Sequence, residues 1–257
     1  MVFCQCGHGT HVGKVRADNE DNYAFNAEVG FGVLADGMGG HEAGEIASKI
    51  AVDSISADIF NGKLMVDALV DAHRTVLEAA SNGKGRKGMG STAVAIKLNA
   101  ENFEIVWLGD SRAYCWDGQQ LTQVSKDHSL VQTMVDDGLI TAEKASSHPR
   151  RNFLTQSLGM PEMHSIKIGH AKGNIYRHYQ FLLCSDGLSD EVSNAEITEI
   201  FKLEVSEQQK ADLLIQKAVN NGGSDNVTVV LFSAPDSAPE AEPEITPETS
   251  SVTTPNK

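Results

Sequence analysis

Apolar residues recur along the chain with two different spacings, one typical of strands and one typical of helices. Segments with the same spacing follow one another in groups. Short apolar or alternating runs are typical of β-strands. They predict strands at residues 23–26, 30–35, 91–98, 103–108, 112–116, 119–124, 163–170, 178–184 and 226–232. Apolar residues three and four positions apart are typical of helices. They predict helices at residues 45–60, 64–81, 129–137, 141–147, 194–201 and 206–221.

The order of these elements favours one class of fold. Strands that follow one another in groups, with helices in pairs, do not fit the one-to-one alternation of a parallel α/β sheet. They favour mostly antiparallel sheets that are covered by helix pairs. We therefore predict an α+β fold.

The composition of the chain changes at residue 234. Residues 234–257, APDSAPEAEPEITPETSSVTTPNK, contain five of the seven prolines and five acidic residues against one lysine. Such a segment buries too little apolar surface to offset the entropy of ordering, so we predict a disordered acidic tail. It is an inert solubilising tail, a tether, or a segment whose threonines are themselves phosphorylated. Residues 1–233 are expected to form a single domain.

Charge and cysteine content narrow the partners and the compartment. A formal net charge of −14 disfavours nucleic acid and electrostatic membrane binding, whereas it suits a site that collects divalent cations. No run of about 18 apolar residues predicts a transmembrane helix, and no secretory signal pattern is present. The four cysteines lack metal-site spacing, which fits reduced thiols. We expect a cytoplasmic protein.

The stretch LADGMGGHEAG at residues 34–44 combines a carboxylate with a glycine-rich turn. An apolar run precedes it and an amphipathic run follows, which predicts that Asp36 lies where a strand ends. A carboxylate beside bare backbone carbonyls supplies the oxygen ligands that hard divalent cations prefer. The alternative is that Asp36-Gly37 is only a turn, since Asp-Gly is a common turn signal.

Three further acidic motifs lie at the edges of apolar strands. They are Asn19-Glu20-Asp21, Ser185-Asp186-Gly187 and Ser224-Asp225-Asn226. If Asp36, Asp186 and Asp225 meet, their like charges repel unless cations neutralise them. Two Mg²⁺ or Mn²⁺ ions in such a pocket would lower the pKa of a shared water and supply hydroxide near neutral pH. That chemistry suits the hydrolysis of a phosphate ester.

A phosphate ester also needs a cationic group to bind it and a proton for its leaving group. Arg16 suits the first role because guanidinium binds two phosphate oxygens at once. It equally fits a surface ion pair with Asp18 or Glu20. His41 is a candidate general acid in the glycine-rich turn, although a lone histidine before a helix is also commonly a cap or a surface residue.

Eight short motifs are distributed in order over residues 11–232. They are VGKVRADNEDNY at 12–23, LADGMGGHEAGEIAS at 34–48, MGSTAV at 89–94, WLGDSRAY at 107–114, SKDHSLVQ at 125–132, HPRRNFLTQSLG at 148–159, LLCSDGLSD at 182–190 and GGSDNVTVV at 222–230. Together they resemble the metal-dependent serine/threonine protein phosphatases, the PPM or type 2C family, in their compact bacterial form. One such motif is weakly specific, whereas eight in order are highly specific.

The resemblance implies a four-layer αββα sandwich of two antiparallel β-sheets flanked by helix pairs. The metal centre would lie at one end and hold two Mn²⁺ or Mg²⁺ ions. Asp36 would bridge the two ions, and the Gly37 carbonyl would bind one of them. Asp186 and Asp225 would bind the other ion.

The resemblance also implies roles for the residues around the metals. Glu20 and Asp21 would act near the ions through water. Asp110 would join Asp186 at a third, weaker metal position. Arg16 would hold the substrate phosphate.

The implied activity is hydrolysis of phosphoserine and phosphothreonine on proteins, opposing a bacterial serine/threonine protein kinase. The expected partners are phosphorylated proteins and that kinase, and we expect a monomer. One alternative is a pseudophosphatase, a phosphoprotein-binding module on the same fold, which a lost metal ligand would signal. None of the metal-binding positions is altered. A further alternative keeps this chemistry but acts on a small phosphoester or on a phosphorylated regulator of transcription.

Two positions depart from the family pattern. Animal-type members carry a histidine two residues after the bridging aspartate, where this chain has Met38, so His41 is the only nearby substitute. Gln156 stands in LTQSLG where many relatives carry arginine. That exchange removes a positive charge near the flap expected within residues 125–160.

Overall fold

The computed structural model describes residues 4–40, 42–160 and 166–240. The strands are β1 (Cys6–His11), β2 (Asp21–Asn26), β3 (Phe31–Met38), β4 (Gly90–Ser91), β5 (Ala93–Leu98), β6 (Asn102–Leu108), β7 (Arg112–Trp116), β8 (Leu121–Gln123), β9 (Gly169–Asn174), β10 (Gln180–Cys184) and β11 (Val227–Ser233). The helices are α1 (Glu42–Phe60), α2 (Met65–Ser81), α3 (Leu130–Asp136), α4 (Ala142–Ser146), α5 (Asp186–Ser189), α6 (Asn194–Phe201) and α7 (Glu207–Asn221). Within these residues, no helix is both long and apolar enough to cross a bilayer.

The strands form two antiparallel sheets that pack face to face. One sheet has the order β1-β11-β10-β7-β8, and the other has the order β2-β3-β5-β6-β9 with β4 paired to β3. Successive side chains on a strand point to opposite faces. In β3, Val33 and Ala35 therefore pack under α1 and α2, whereas Leu34 packs between the sheets. In β11, Phe232 packs between the sheets and Leu231 packs under α6 and α7. Three cores thus separate four layers, which confirms the predicted αββα sandwich.

The structure places Asp36 inside a strand and not at its end. β3 continues through Met38 because its last two residues pair with β4. The turn that follows is formed by Gly39 and Gly40, whose φ values of 138° and 72° suit glycine. Gly44, which the sequence placed in the turn, lies within α1. The site is therefore built on a rigid strand with a short turn beyond it.

The strand predicted at residues 163–170 is wrong in position. β9 covers Gly169–Asn174, and residues 161–165 lie outside the described part of the chain. The β9 sequence, GHAKGN, carries almost no apolar signal, and its residues alternate between half-buried and exposed. Backbone pairing with β6 at the sheet edge defines this strand, so periodicity could not locate it.

The first residues of the predicted tail pack on the domain. Ala234 and Ala238 are buried in the core between the sheets. The Ala234 amide donates to the Tyr179 carbonyl at 2.7 Å. Packing therefore continues beyond the expected boundary at residue 233, whereas residues 241–257 lie outside the described residues.

Two glycines of β1 face α7, which allows a matched test of this packing. A methyl group on Gly7 would collide with the Glu207 carbonyl, whereas one on Gly9 would meet only the end of the Ile215 side chain. Helix backbone moves less readily than a side chain. We therefore expect Gly7→Ala to lower the free energy of unfolding by about 2–3 kcal/mol, and Gly9→Ala by less than about 1 kcal/mol. Urea denaturation of both variants measures the difference, and equal losses would contradict it.

Candidate metal centre

The acidic residues proposed from the sequence come together at one end of the sandwich. Asp21 and Asp36 lie opposite each other on the paired strands β2 and β3. Asp186 follows β10, and Asp225 lies just before β11. Since β10 and β11 are antiparallel neighbours, the end of one lies beside the start of the other. Both sheets therefore supply carboxylates to the same place.

Asp21 connects the two sheets through its carboxyl group. Its Oδ2 accepts hydrogen bonds from Ser185 Oγ at 2.8 Å and from Thr228 Oγ1 at 2.7 Å. Its Oδ1 is buried and has no hydrogen-bond partner among the described residues. Burial raises the pKa of Asp21 to about 8, because the ionised form loses its hydration.

Asp36 is fixed through its backbone while its carboxyl faces other carboxyls. Its amide donates to Thr92 Oγ1 at 2.9 Å, and its carbonyl accepts from the Thr92 amide at 2.8 Å. Burial, and then the charges of Asp21 and Asp186, raise the pKa of the Asp36 carboxyl well above its usual range. The residue is held in place at a position where a negative charge is costly.

Asp186 interacts electrostatically with both Asp36 and Asp225. Burial, followed by the charge of Asp225, raises the pKa of Asp186 to about 7. Its Oδ1 is buried and lacks a partner in the described structure. Burial and the charge of Asp186 likewise raise the pKa of Asp110 above its usual range. The charges of Asp110 and Asp186 therefore act on each other.

These carboxyl groups fit divalent cations. Two carboxylates within hydrogen-bonding reach repel each other unless a proton or a cation lies between them. Buried oxygens without a donor, as on Asp21 and Asp186, carry a cost that ligation would remove. Mg²⁺ and Mn²⁺ prefer oxygen ligands of this kind. Among the described residues, no three acidic, histidine or cysteine side chains are grouped closely enough to hold a metal ion as they stand.

Gly37 and Glu20 bring the first turn of α1 against β3. The Gly37 amide donates to the Glu20 carbonyl at 3.2 Å. A side chain on Gly37 would collide with the Gly44 carbonyl, so the helix packs directly on the strand backbone. The Glu20 carboxyl lies close over Gly44, and burial raises its pKa. Gly37 and Glu20 therefore lie beside Asp36, as the motifs implied.

Arg16 pairs with Asp225 and not with Asp18 or Glu20, the neighbours considered from the sequence. Its Nη2 donates to Asp225 Oδ2 at 2.6 Å, and its side chain is 53% exposed. This hydrogen bond and the charge of Asp225 raise the pKa of the guanidinium. An exposed guanidinium beside the carboxylates is well placed to bind an anion.

Asn226 is a structural residue of the site that sequence reasoning missed. Its Oδ1 accepts from the Glu20 amide at 2.8 Å, and its Nδ2 donates to two carbonyls of the 12–18 loop at 2.9 Å. It therefore holds the loop that carries Arg16 beside Asp225. The asparagine was visible in the Ser-Asp-Asn motif, but its partners are more than 200 residues away along the chain.

The turn that carries Asp110 is supported by the segment before α3. Asp127 accepts three hydrogen bonds from the Arg112 guanidinium, at 2.7 to 3.1 Å. His128 Nδ1 accepts from the Gly109 amide at 3.2 Å, and the His128 amide donates to the Gly109 carbonyl at 2.9 Å. The motif SKDHSLVQ thus supports the site without contributing a proposed metal ligand.

Two candidate residues do not take part in the described site. His41, the candidate general acid, lies outside the described residues. Gln156 does not line the cleft, and its Oε1 accepts from the Lys167 amide at 3.0 Å. The Gln156 carboxamide therefore holds the Lys167 backbone in place, at a position where the family pattern has a charged side chain.

A cleft of about 420 Å³ connects the site residues, and its lining combines two chemistries. The charged part comprises Arg16, Glu20, Asp36, Asp110, Asp186 and Asp225. The apolar part comprises Met38, Phe153, Leu154 and Met160. The carboxylates and the guanidinium therefore open onto one space that a small anion can enter.

Comparison with known proteins assigns the family. The family model of protein phosphatase 2C matches residues 8–216. The chain belongs to this family. The serine/threonine phosphatase Stp of Listeria innocua is 33% identical over 86% of this chain and 92% of its own length. The serine/threonine protein phosphatase PstP of Mycobacterium tuberculosis is 40% identical over 87% of this chain, which spans only 44% of PstP.

Solved structures of phosphatases share the fold. The crystal structure of PstP from Mycobacterium tuberculosis has a TM-score of 0.82 at 34% identity, covering 91% of this chain and 100% of that chain. The PstP catalytic domain in complex with two manganese ions has a TM-score of 0.82 at 33% identity, covering 92% of this chain and 100% of that chain. The family resemblance drawn from the eight motifs is confirmed.

Proposed function

We propose that the protein is a metal-dependent phosphatase that hydrolyses phosphoserine and phosphothreonine on proteins. One observation carries the proposal: Arg16 shares a cleft with half-buried carboxyl residues, among which Asp186 has a buried oxygen without a partner in the described structure. A guanidinium for the phosphate and carboxylates for cations are what metal-assisted hydrolysis of a phosphate ester requires. The similar proteins named serine/threonine phosphatases support the same reaction.

The proposed metal ligands follow the family motifs. Asp36 would bridge two ions, the Gly37 carbonyl would bind one ion, and Asp186 and Asp225 would bind the other. When bound, two Mn²⁺ or Mg²⁺ ions would supply hydroxide from water near neutral pH. The PstP structure with two manganese ions supports a two-ion centre.

The remaining site residues would position the substrate and the surrounding water. Arg16 would bind and orient the phosphate group. Glu20 and Asp21 would orient water beside the ions, and Asp110 would hold a third, weaker ion together with Asp186. His41 is the candidate that the sequence offers for protonating the leaving alkoxide.

A pseudophosphatase that only binds phosphoproteins is the alternative function. A site that binds phosphate without metals is expected to be rich in cationic side chains, because carboxylates repel the anion. The described lining of this cleft instead carries five carboxyl groups and one guanidinium. We therefore favour the enzyme, and propose that as a monomer it reverses the action of a serine/threonine protein kinase.

Phosphate release from a phosphothreonine peptide tests the proposed function. We expect turnover with Mn²⁺ and a loss of at least about 10²-fold with EDTA, because the ions supply both hydroxide and charge neutralisation. A parallel assay with Mg²⁺ tests the choice of ion. Substantial turnover in EDTA would contradict a metal-dependent reaction. Folded protein that binds the peptide but releases no phosphate with either ion would favour the pseudophosphatase.

A further inference from the structure

The apolar part of the cleft carries no charged group for a cation or a phosphate. We propose that Phe153, with Leu154, Met160 and Met38, forms a subsite for an apolar side chain that flanks the phosphorylated residue of a substrate. This inference rests on the proposed function, because it defines the class of phosphopeptide that the same cleft prefers. The partner chemistry is therefore a phosphopeptide with apolar neighbours.

The exposure of Phe153 is the first observation in favour of this subsite. Its side chain is 61% exposed although it lines the cleft that carries Arg16 and Asp36. A large aromatic side chain exposed to water indicates a binding surface, because covering an apolar side chain lowers the free energy. Leu154 and Met160 are half-buried and line the same cleft. Together they offer a surface that a substrate can cover.

The backbone around Phe153 is held in place by hydrogen bonds. The Phe153 carbonyl accepts from the Leu130 amide at 2.8 Å, and the Phe153 amide donates to the Arg150 carbonyl at 3.1 Å. Leu154 forms an isolated antiparallel bridge with Ser129. These hydrogen bonds therefore hold the segment in its conformation in the absence of a ligand. A preformed surface keeps more of its contact free energy on binding than a surface that must first be ordered.

The position of the phosphate determines which residues of the substrate contact the apolar residues of the cleft. A phosphorylated side chain whose phosphate lies beside Arg16 brings the neighbouring residues of its own peptide to the cleft lining. That cleft is only about 420 Å³, so the occupant is a side chain or two and not a folded domain.

The charge of the cleft is not expected to favour substrates that carry charged residues beside the phosphorylated residue. The described lining has five carboxyl groups and one guanidinium, so two divalent ions would bring it close to neutrality. Apolar contact is then the remaining basis of selection. Two of the four apolar residues are methionines, whose flexible side chains adapt to different shapes. The subsite is therefore expected to select apolar residues as a class.

Two phosphothreonine peptides that differ only at the flanking residues test the subsite. One carries leucine on both sides of the phosphothreonine, and the other carries serine on both sides. With Mn²⁺, we expect kcat/KM to be about tenfold higher for the leucine peptide, mainly through KM, as for one apolar side chain in a pocket. Phe153→Ser should reduce this ratio to about twofold or less, and Phe153→Leu should keep most of it.

Leu139 provides the matched control. It is another large apolar residue that is 68% exposed, but it does not line the cleft. Leu139→Ser should leave the peptide ratio unchanged. Equal kcat/KM for both peptides, a ratio that survives Phe153→Ser, or an equal fall in Leu139→Ser would overturn the inference and leave the proposed function intact. No turnover of either peptide would contradict the proposed function, and the inference would fall with it.

Discussion

Asparagine in place of Asp36 is expected to lower kcat for phosphopeptide hydrolysis by at least about 10³-fold in the presence of Mn²⁺. The substitution keeps the shape of the side chain and the backbone hydrogen bonds to Thr92. It removes the negative charge that Asp36 would supply to the proposed pair of cations. Phosphate release at saturating peptide and Mn²⁺ measures the effect.

The same substitution is expected to raise the thermal stability of the metal-free protein. Asp36 is half-buried beside Asp21 and Asp186, and a neutral amide removes part of their repulsion. Lost activity with a higher melting temperature in EDTA would exclude unfolding as the cause. Asp53→Asn is the control, because Asp53 lies on the surface of α1 with its side chain 64% exposed, and should change neither property. An Asp36→Asn protein that keeps a tenth of the activity would contradict the assigned role.

Alanine in place of Arg16 is expected to lower kcat/KM by about 10²-fold, with much of the change in KM. Hydrogen bonds to a charged group contribute about 1.5–3 kcal/mol each, and guanidinium offers two toward a phosphate. Arg16→Lys keeps the charge but loses the planar fork, so it should recover only part of the loss. Initial rates over a range of phosphopeptide concentrations separate KM from kcat.

Arg74 supplies the control for the arginine series. It is 68% exposed on α2, where it pairs with Asp71 at 3.1 Å. Arg74→Ala removes the same side chain and charge from the surface and should leave kcat/KM unchanged. Wild-type kcat/KM in Arg16→Lys would show that charge alone is sufficient and would contradict bidentate binding of the phosphate.

The layers of the fold could be predicted because their signal is local. The run at 30–35 predicted a strand, and β3 contains these residues from Phe31 on and divides its side chains between two cores. The helix at 194–201 was predicted with its observed bounds, and Ser193 and Glu196 form a capping box at its start. The edge strand β9 could not be located, because half-exposed edge residues need no apolar pattern.

The sequence predicted which types of residue form the site but not which of these residues contact one another. Strand ends and acidic motifs identified Asp36, Asp186 and Asp225. Arg16 pairs with Asp225 and not with acidic residues that are nearer to it in the sequence. This pair joins residues 209 positions apart, so it is determined by the fold. The extension of β3 past Asp36 likewise depends on pairing with β4, which a local reading of Asp-Gly as a turn cannot detect.

The position of β11 has a consequence for biosynthesis. It is the last strand of the domain, yet it lies between β1 and β10 in its sheet. Because a polypeptide is made from its N-terminus, β1 lacks a partner strand until β11 is inserted. Asp225 and Asn226, which hold Arg16 and Glu20, arrive with the same segment. A half-made domain therefore lacks both a closed sheet and a complete cleft, so the proposed phosphatase activity is expected only after the β11 segment has folded into place.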